Sequence, residues 1–341
     1  MLPSFGAFAL NQATFLTALR QGEPARVLDF FITNKEFFFA DFGGGDFGST
    51  QLLSTYLPNS NAFVTDFIGN NSYSNYNALQ AEIRQRLKHG FDFQANYTWS
   101  KGFTDFEGGQ TNFSGLLDLN QGNVLEKRRG VNDITHIFKA NAGYELPFGP
   151  GQRWANSGVM SRVFGGMKLT GIFVAQSGRP ISFISARGTL NRTGRSGSNT
   201  ASSNLTISDL QNITGLYFDP TTGQPLMFDP AVIQALRNDT SPLRNQNGFF
   251  SNPEPGTTGN LQLTPVSGPG VWNLDMGFIK RTPITETVNV EFRMEAFNIF
   301  NHTNFFIGST ALNQNINSST FGQITDTYDP RILQFALKLN F

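Results

Sequence analysis

The last ten residues, 332–341, constrain the fold of this chain more than any other stretch. Every second residue is apolar, in the series Leu333, Phe335, Leu337, Leu339 and Phe341. The residues between them are Gln334, Ala336, Lys338 and Asn340. Because strand side chains point alternately to opposite faces, the pattern predicts a strand with one apolar and one polar face. About ten alternating residues is the length that crosses a bilayer in a β-barrel. A soluble edge strand would gain little from an aromatic residue at the very end of the chain.

This strand resembles the C-terminal signal of outer-membrane β-barrels, in which a final alternating strand ends on an aromatic residue. The resemblance implies a location in the cell outer membrane, with the membrane lipid and the barrel assembly machinery as partners. It also implies an assembly signal made of Leu333, Phe335, Leu337, Leu339 and Phe341.

Composition argues against several other classes of protein. No run of about 18 apolar residues occurs, so the sequence predicts no membrane-spanning helix. The formal net charge is 0 and there is no basic stripe, which argues against nucleic acid as a partner. The chain has no cysteine, so it cannot form disulfides or thiolate–metal sites. His89, His136 and His302 are too scattered for a metal site, and we predict no metal, no cofactor and no enzyme activity.

Six further segments alternate in the same way, at residues 76–87, 91–100, 136–146, 167–177, 272–281 and 288–296. With the final strand they predict an all-β fold, an antiparallel transmembrane β-barrel segment of about seven strands. The connectors on one side are short, at 88–90, 147–165 and 282–286, and those on the other side are long, at 1–74, 102–133, 178–270 and 301–330. Outer-membrane barrels have short periplasmic turns and long extracellular loops, so we expect the long connectors to lie outside the cell.

The alternation also assigns residues to faces. We expect lipid to meet Leu79, Phe93, Ala140, Leu274 and Val290, and the barrel lumen to meet Gln80, Gln94, Asn141, Asn273 and Glu291. An aromatic girdle is predicted from Tyr97, Trp99 and Trp272. The charged lumen candidates are Glu82, Arg84, Arg86, Glu291, Arg293 and Glu295. These charges either bind a plug or a substrate, or only pair across strands and stay solvated.

The stretch 291–305, EFRMEAFNIFNHTNF, resembles the penultimate strand of Oar-like TonB-dependent transporters. Four other segments resemble the family in the same order: NYNALQ at 75–80, NYTWSK at 96–101, YELPFG at 144–149 and QSGRP at 176–180. The resemblance implies a Gram-negative transporter of a bulky nutrient, with a 22-stranded barrel closed by an N-terminal plug. It divides the chain into an extracellular loop region, residues 1–74, and C-terminal barrel strands, residues 75–341.

The plug, the TonB box and the signal peptide of that family are not found in the sequence. We therefore expect a fragment of the transporter barrel, which would reach the TonB complex only through a missing N-terminal part. Its two outer strands would then have unpaired edges. Two alternatives stay open: a passive porin or barrel adhesin, with the same strands and no plug, and a soluble β-rich carbohydrate-binding protein, suggested by the Asn- and aromatic-rich loops.

Overall fold

The computed structural model describes residues 16–26, 70, 72–105, 126–190, 199–308 and 311–341. Most of the expected loop region 1–74, and most of the connector 102–133, lie outside these residues. The described part is dominated by strands, as the alternation predicts.

Twelve strands and three helices have defined bounds, and residues 16–20 form a further helical turn. The strands are β1 (Ser74–Lys88), β2 (Phe91–Thr104), β3 (Arg128–Arg129), β4 (His136–Glu145), β5 (Met167–Gln176), β6 (Pro180–Ile181), β7 (Thr214–Phe218), β8 (Pro225–Phe228), β9 (Val266–Ser267), β10 (Val271–Pro283), β11 (Asn289–Phe297) and β12 (Ile332–Asn340). The helices are α1 (Gly158–Phe164), α2 (Ile207–Asn212) and α3 (Pro230–Asn238). In the described residues, no helix is long and apolar enough to cross a bilayer.

Seven long strands form one antiparallel sheet in the order β1–β2–β4–β5–β10–β11–β12, and the two-residue strand β3 pairs with β2. The predicted all-β antiparallel fold is confirmed, and each of the seven alternating segments corresponds to one long strand. The first strand begins at Ser74, one residue before the expected boundary. Within the described residues, β1 and β12 each have one neighbouring strand, so the sheet is open.

The register gives the sheet two chemically different faces, because residues paired across antiparallel strands point to the same side. One row across five strands contains Ala81, Tyr97, Phe138, Ala175 and Trp272. The adjacent row, one residue along each strand, lies on the opposite side and contains Glu82, Asn96, Lys139, Val174 and Asn273. We name these sides the apolar face and the polar face. The residues expected to meet lipid all lie on the apolar face, and those expected in the lumen all lie on the polar face.

The connectors differ between the two ends of the sheet. At one end, β1 and β2 are joined by a two-residue turn in which His89 and Gly90 have positive φ values of 53° and 83°. Positive φ at both central residues is typical of the type I′ turn, whose twist matches that of a hairpin. The same end carries the connectors 284–288 and 146–166, and we name it the turn end. The opposite end, the loop end, carries the connectors 105–135, 177–270 and 298–331.

The loop end carries a compact folded unit. In it β6 pairs with β9 and β7 with β8, and α2 and α3 pack beside them. The described residues of 178–270 and of 305–327, which belong to two of these connectors, share one hydrophobic core, and we name them together the loop module. Its buried core residues are Ile181, Phe183, Ala201, Leu210, Leu226, Met227, Phe228, Val232, Ile233, Leu236, Phe250, Leu261, Val266, Leu312, Ile316, Phe321 and Ile324. Phe183 stacks on Phe250 with ring centroids 4.7 Å apart, and Phe228 on Phe321 at 4.8 Å.

Asp239, at the end of α3, organises the turn that follows the helix. Its carboxylate accepts hydrogen bonds from the backbone N–H groups of Ser241 at 3.0 Å and Gln246 at 2.8 Å. The side-chain amide of Asn247 donates to it at 2.9 Å. Burial alone would raise the pKa of Asp239, but these hydrogen bonds and that of the Ser241 hydroxyl lower the pKa below its ordinary value.

Arg129 ties the loop module to the sheet. Its guanidinium forms a salt bridge of 2.9 Å with Asp133 and donates to Ser267 Oγ at 2.8 Å. The Thr264 hydroxyl donates to the Arg129 carbonyl at 2.6 Å. Asp133 in turn accepts a hydrogen bond of 2.8 Å from the backbone N–H of Gly102 in β2. Since Arg129 and Asp133 are both buried, this network fixes where the module sits on the loop end.

Residues 16–26 pack against the loop module. Glu23 is fully buried there and pairs with Arg187 at 2.8 Å and Arg26 at 3.0 Å. The backbone N–H of Arg26 donates to the carbonyl of Gly188 at 3.1 Å. The chain before β1 is therefore joined to the same unit as the later connectors.

Candidate functional site

The residues of the predicted assembly signal all project from the apolar face, along the edge strand β12. Phe335 lies opposite Met294, and Leu337 lies opposite Phe292 in β11. The Phe292 and Phe335 rings stack with centroids 6.4 Å apart. Phe341 follows the strand and is 96% exposed. Leu333 and Leu339 are also exposed, so the five side chains form one apolar stripe. Its role in assembly stays a prediction.

The predicted girdle residues lie together near the loop end of the apolar face. Tyr97 and Trp272 share one row of the sheet, and Trp99 lies in the next row, opposite His136. The Tyr97 hydroxyl is 2.8 Å from His136 Nδ1, and His302 stacks on Trp272 with ring centroids 4.3 Å apart. The two histidines join the aromatic group, which sequence analysis could not show because they come from separate connectors and strands.

On the polar face, Glu291 lies between two arginines. It is only 3% exposed and forms salt bridges with Arg281, on the neighbouring strand, and with Arg293. The sequence left two interpretations of the charged lumen candidates: binding a plug or a substrate, or pairing across strands. This group shows pairing across strands. Arg281 is the member that sequence analysis missed, since only the register of β10 against β11 places it opposite Glu291.

The other lumen candidates are not brought to this group. Glu82 lies on β1, at the far side of the sheet, and accepts a hydrogen bond of 3.0 Å from Gln94. Arg84 lies opposite Gln94, and Arg86 falls within the register shift between Gln85 and Lys88. Glu295 lies opposite Gln334. The six charges therefore form two separate groups, on β1 and on β11.

A cavity of about 660 Å³ opens on the polar face at the loop end. Its floor is formed by β5, β10, β11 and β12, and its roof by the connector 298–331. The lining residues are Val174, Gln176, Val271, Trp272, Asn273, Asp275, Phe297, Asn298, Asn304, Tyr328, Asp329, Pro330, Ile332 and Gln334. A volume of this size lies in the range of ligand-binding pockets. The cavity is the best candidate site in the described residues.

The roof is held by asparagines of the segment that carries the family resemblance. Asn298 has a φ of 50°, in the left-handed region that asparagine tolerates, and reverses the chain after β11. Its side chain accepts from the backbone N–H of His302 at 2.9 Å and donates to the carbonyl of His302 at 2.9 Å. Asn304 then bridges the backbone of Trp272, accepting from its N–H at 3.0 Å and donating to its carbonyl at 2.7 Å. The segment thus positions the roof over β10.

The cavity offers hydrogen-bond acceptors to a ligand. Asp275 accepts from the Asn273 side-chain amide at 2.7 Å and from the backbone N–H of Asn298 at 2.9 Å. Asn273 Oδ1 is buried and has no hydrogen-bond donor within the described residues. A buried acceptor without a partner is costly unless a bound molecule or water donates to it. The site therefore suits a ligand with hydroxyl or amide donors.

Metal binding finds no support in the described residues, where no group of three His, Asp or Glu side chains suits a metal ion. The cavity itself is lined by two carboxylates, Asp275 and Asp329.

An open antiparallel sheet with one apolar and one polar face is the architecture expected for part of the wall of an outer-membrane β-barrel. The comparison with known families agrees with this class. Residues 8–334 match the family described as "Outer membrane beta barrel domain". The chain belongs to this family, and the predicted location in the outer membrane is confirmed.

Among solved structures, the chain is similar to one titled "Structure of the FpvAI-pyocin S2 complex". The identity is 12% and the TM-score 0.33, over 78% of this chain and 19% of that chain. The chain thus spans about a fifth of the length of this structural relative. No curated protein matches the chain.

Proposed function

We propose that the chain forms part of an outer-membrane transporter that takes up a bulky nutrient, in the manner of Oar-like TonB-dependent transporters. The observation that carries the proposal is the cavity of about 660 Å³ between the polar face and the connector 298–331. In a barrel the polar face lines the lumen, so a ligand held there would lie at the entrance of the transport path.

The chemistry of the cavity indicates the class of nutrient. Asp275 and the unpartnered Asn273 Oδ1 are acceptors, and they lie beside the apolar surfaces of Val174, Phe297 and Ile332. An oligosaccharide or a peptide combines hydroxyl or amide donors with apolar patches and fits this lining. A small inorganic ion would leave most of the cavity unused.

Two partners belong to the proposal. The barrel assembly machinery would recognise the stripe that ends at Phe341. The TonB complex would supply energy through a part of the protein outside this chain. The charges on the polar face, Glu291 with its two arginines foremost, would support the barrel wall rather than hold the nutrient, since Glu291 is already paired with both Arg281 and Arg293.

The family match affects the alternative functions differently. Membership of the outer-membrane family excludes the soluble carbohydrate-binding alternative and favours transport or reception over catalysis. A passive porin and a barrel adhesin would have the same strands, so the dependence of uptake on energy must separate them.

The experiment compares cells whose outer membrane carries the native protein with cells carrying an Asn273→Ala/Asp275→Asn variant. The probes are fluorescently labelled oligosaccharides and oligopeptides of graded length. Loss of hydrogen bonds to a charged acceptor costs roughly 1.5–3 kcal/mol, so we expect at least a tenfold loss of uptake for the transported probe. Asn141→Ala, on the polar face but outside the cavity, is the matched control and should leave uptake unchanged.

Treatment with a protonophore distinguishes energised transport from the alternative functions. Uptake that stops when the proton gradient is collapsed supports the proposal. Uptake that continues indicates a passive porin, and binding to cells without uptake indicates an adhesin. Equal uptake by the native protein and the cavity variant would exclude the cavity as the nutrient site.

A further inference from the structure

Helix α1, in the turn-end connector 146–166, has an inverted pattern of burial. The one buried residue of the helix is Ser161, which is 7% exposed. Val159, Met160, Val163 and Phe164 are exposed, and Val159 reaches 77%. Residues at i, i+1, i+4 and i+5 lie on one side of a helix, so these four form one apolar stripe. A helix in water would turn this stripe inward.

The apolar stripe continues into a group of aromatic residues in the same connector. Phe148 packs against Trp154 with ring centroids 5.7 Å apart and against Phe164 at 6.3 Å. Trp154 is half exposed, and the guanidinium of Arg153 lies 5.3 Å from the centre of its ring. Exposed tryptophan beside a cation is typical of side chains at a membrane–water interface.

The sheet holds α1 on its apolar side. Lys280 lies on the apolar face, in the row of Phe292 and Leu337. Its ammonium group donates to the carbonyl of Arg162 at 2.9 Å and also to the carbonyl of Gly165. These are carbonyls at the end of α1, where a positive charge is favourable. The helix is therefore continuous with the apolar face rather than with the polar one.

We propose that α1 and the aromatic residues around it lie in the interface of the periplasmic leaflet and bind the acyl chains and phosphate headgroups of its lipids. Three observations select lipid as the occupant. The apolar stripe adjoins the apolar face of a sheet that belongs to an outer-membrane barrel. The connector has two cations, Arg153 and Arg162, and no acidic residue, which complements anionic phosphates. Short turns of such barrels lie on the periplasmic side.

The inference gives the connector a role beyond joining two strands. An amphipathic helix lying in the interface penetrates roughly 5–10 Å into the boundary between headgroups and acyl chains. Fixed to β10 by Lys280, it would set the height of the sheet relative to the bilayer.

The absence of cysteine from the chain allows a direct test. Single cysteines replace Val159 or Val163 in the full chain, and each carries a nitroxide label. The protein is placed in vesicles of phosphatidylethanolamine and phosphatidylglycerol, and collisions of the label with oxygen and with a water-soluble nickel chelate are measured. Gln152→Cys is the exposed control in the same connector, and Phe335→Cys is the reference on the apolar face.

We expect the labels at residues 159 and 163 to show a several-fold higher ratio of oxygen to nickel accessibility than the label at residue 152, and a ratio closer to that at residue 335. Ratios equal to that of Gln152→Cys would overturn the proposal, because the helix would then lie in water. Labels shielded from both reagents would overturn it too, since a protein would then cover the stripe. An Arg153→Gln/Arg162→Gln variant should lie less deep in these vesicles, and an unchanged depth would exclude binding to the headgroups.

Discussion

Arginine substitutions along β4 test the assignment of the two faces. Ala142 lies on the apolar face, in the row of Phe93 and Met276, and its neighbour Asn141 lies on the polar face. Gly171 pairs with Ala142 on the next strand and leaves room for a long side chain. The pair Ala142→Arg and Asn141→Arg thus places the same charge one residue apart, on opposite sides of the sheet.

The depth of Ala142 follows from the strand geometry. It lies four residues from Phe138, which belongs to the aromatic row of Tyr97 and Trp272. Four residues span ~14 Å along a strand, and a strand tilt of ~40° reduces this to ~10 Å of depth. The apolar band of a barrel is ~25 Å tall, so its midplane lies ~12 Å from the aromatic row. Ala142 is therefore close to the midplane.

At that depth an arginine facing lipid costs about 2–4 kcal/mol, and the cost falls to about 0–1 kcal/mol near the interface. We expect Ala142→Arg to lose this free energy of folding, Ala140→Arg to lose less, and Asn141→Arg to lose almost none. The full chain is unfolded with urea in phospholipid vesicles. The remaining folded form is measured by its heat-dependent mobility in gel electrophoresis. Equal losses for Ala142→Arg and Asn141→Arg would refute the assignment. A larger loss for Asn141→Arg would indicate a register slipped by one residue.

Three further predictions concern the assembly signal that ends at Phe341, the Arg129 network and Asp239. Deleting Phe341 should reduce the heat-modifiable, membrane-integrated form in cells, whereas Asn340→Ala should not; normal assembly of the deletion would exclude the terminal residue as a signal. Breaking a buried ion pair costs about 3–5 kcal/mol, so Arg129→Ala should make the loop module much more sensitive to protease, and Lys127→Ala, at an exposed position, should not. If both digest alike, the network does not hold the module. Because the folded pKa of Asp239 is lowered, its stabilising effect is complete above the unfolded pKa of about 3.9 and is lost as pH falls through the folded pKa. Protection of the loop module from protease should therefore decline in acid. Asp239→Asn should remove the part of this decline that comes from Asp239, and a variant with the same pH profile as the native protein would contradict the prediction.

The sheet could be predicted from the sequence because a period of two is local information. Each of the seven long strands contains its own alternation, and the short turn at His89 and Gly90 joins two of them. The pairing of Arg281 with Glu291 could not be predicted, because it depends on the register between two strands. The helix α1 was also missed, since it follows a stretch rich in glycine and proline, which predicts only a turn.

The cavity and the loop module depend on contacts between residues that are distant in sequence. Phe250 and Phe321 lie in stretches that are mostly polar, and no periodicity indicates that they meet each other or Phe228. The roof residues Asn298 and Asn304 belong to the segment that resembles a family in sequence. The sequence did not show what these two residues do in the structure. Only the fold shows that these asparagines hold the connector across β10.

The shared core of the loop module has a consequence for how these loops can change in evolution. Surface loops of a barrel normally accept insertions and replacements one at a time. Here Ile316 and Phe321 of the last connector are buried among residues of the connector 178–270, such as Phe228. A substitution in the core of one connector therefore alters the packing of the other, so we expect the core residues of the two connectors to change together.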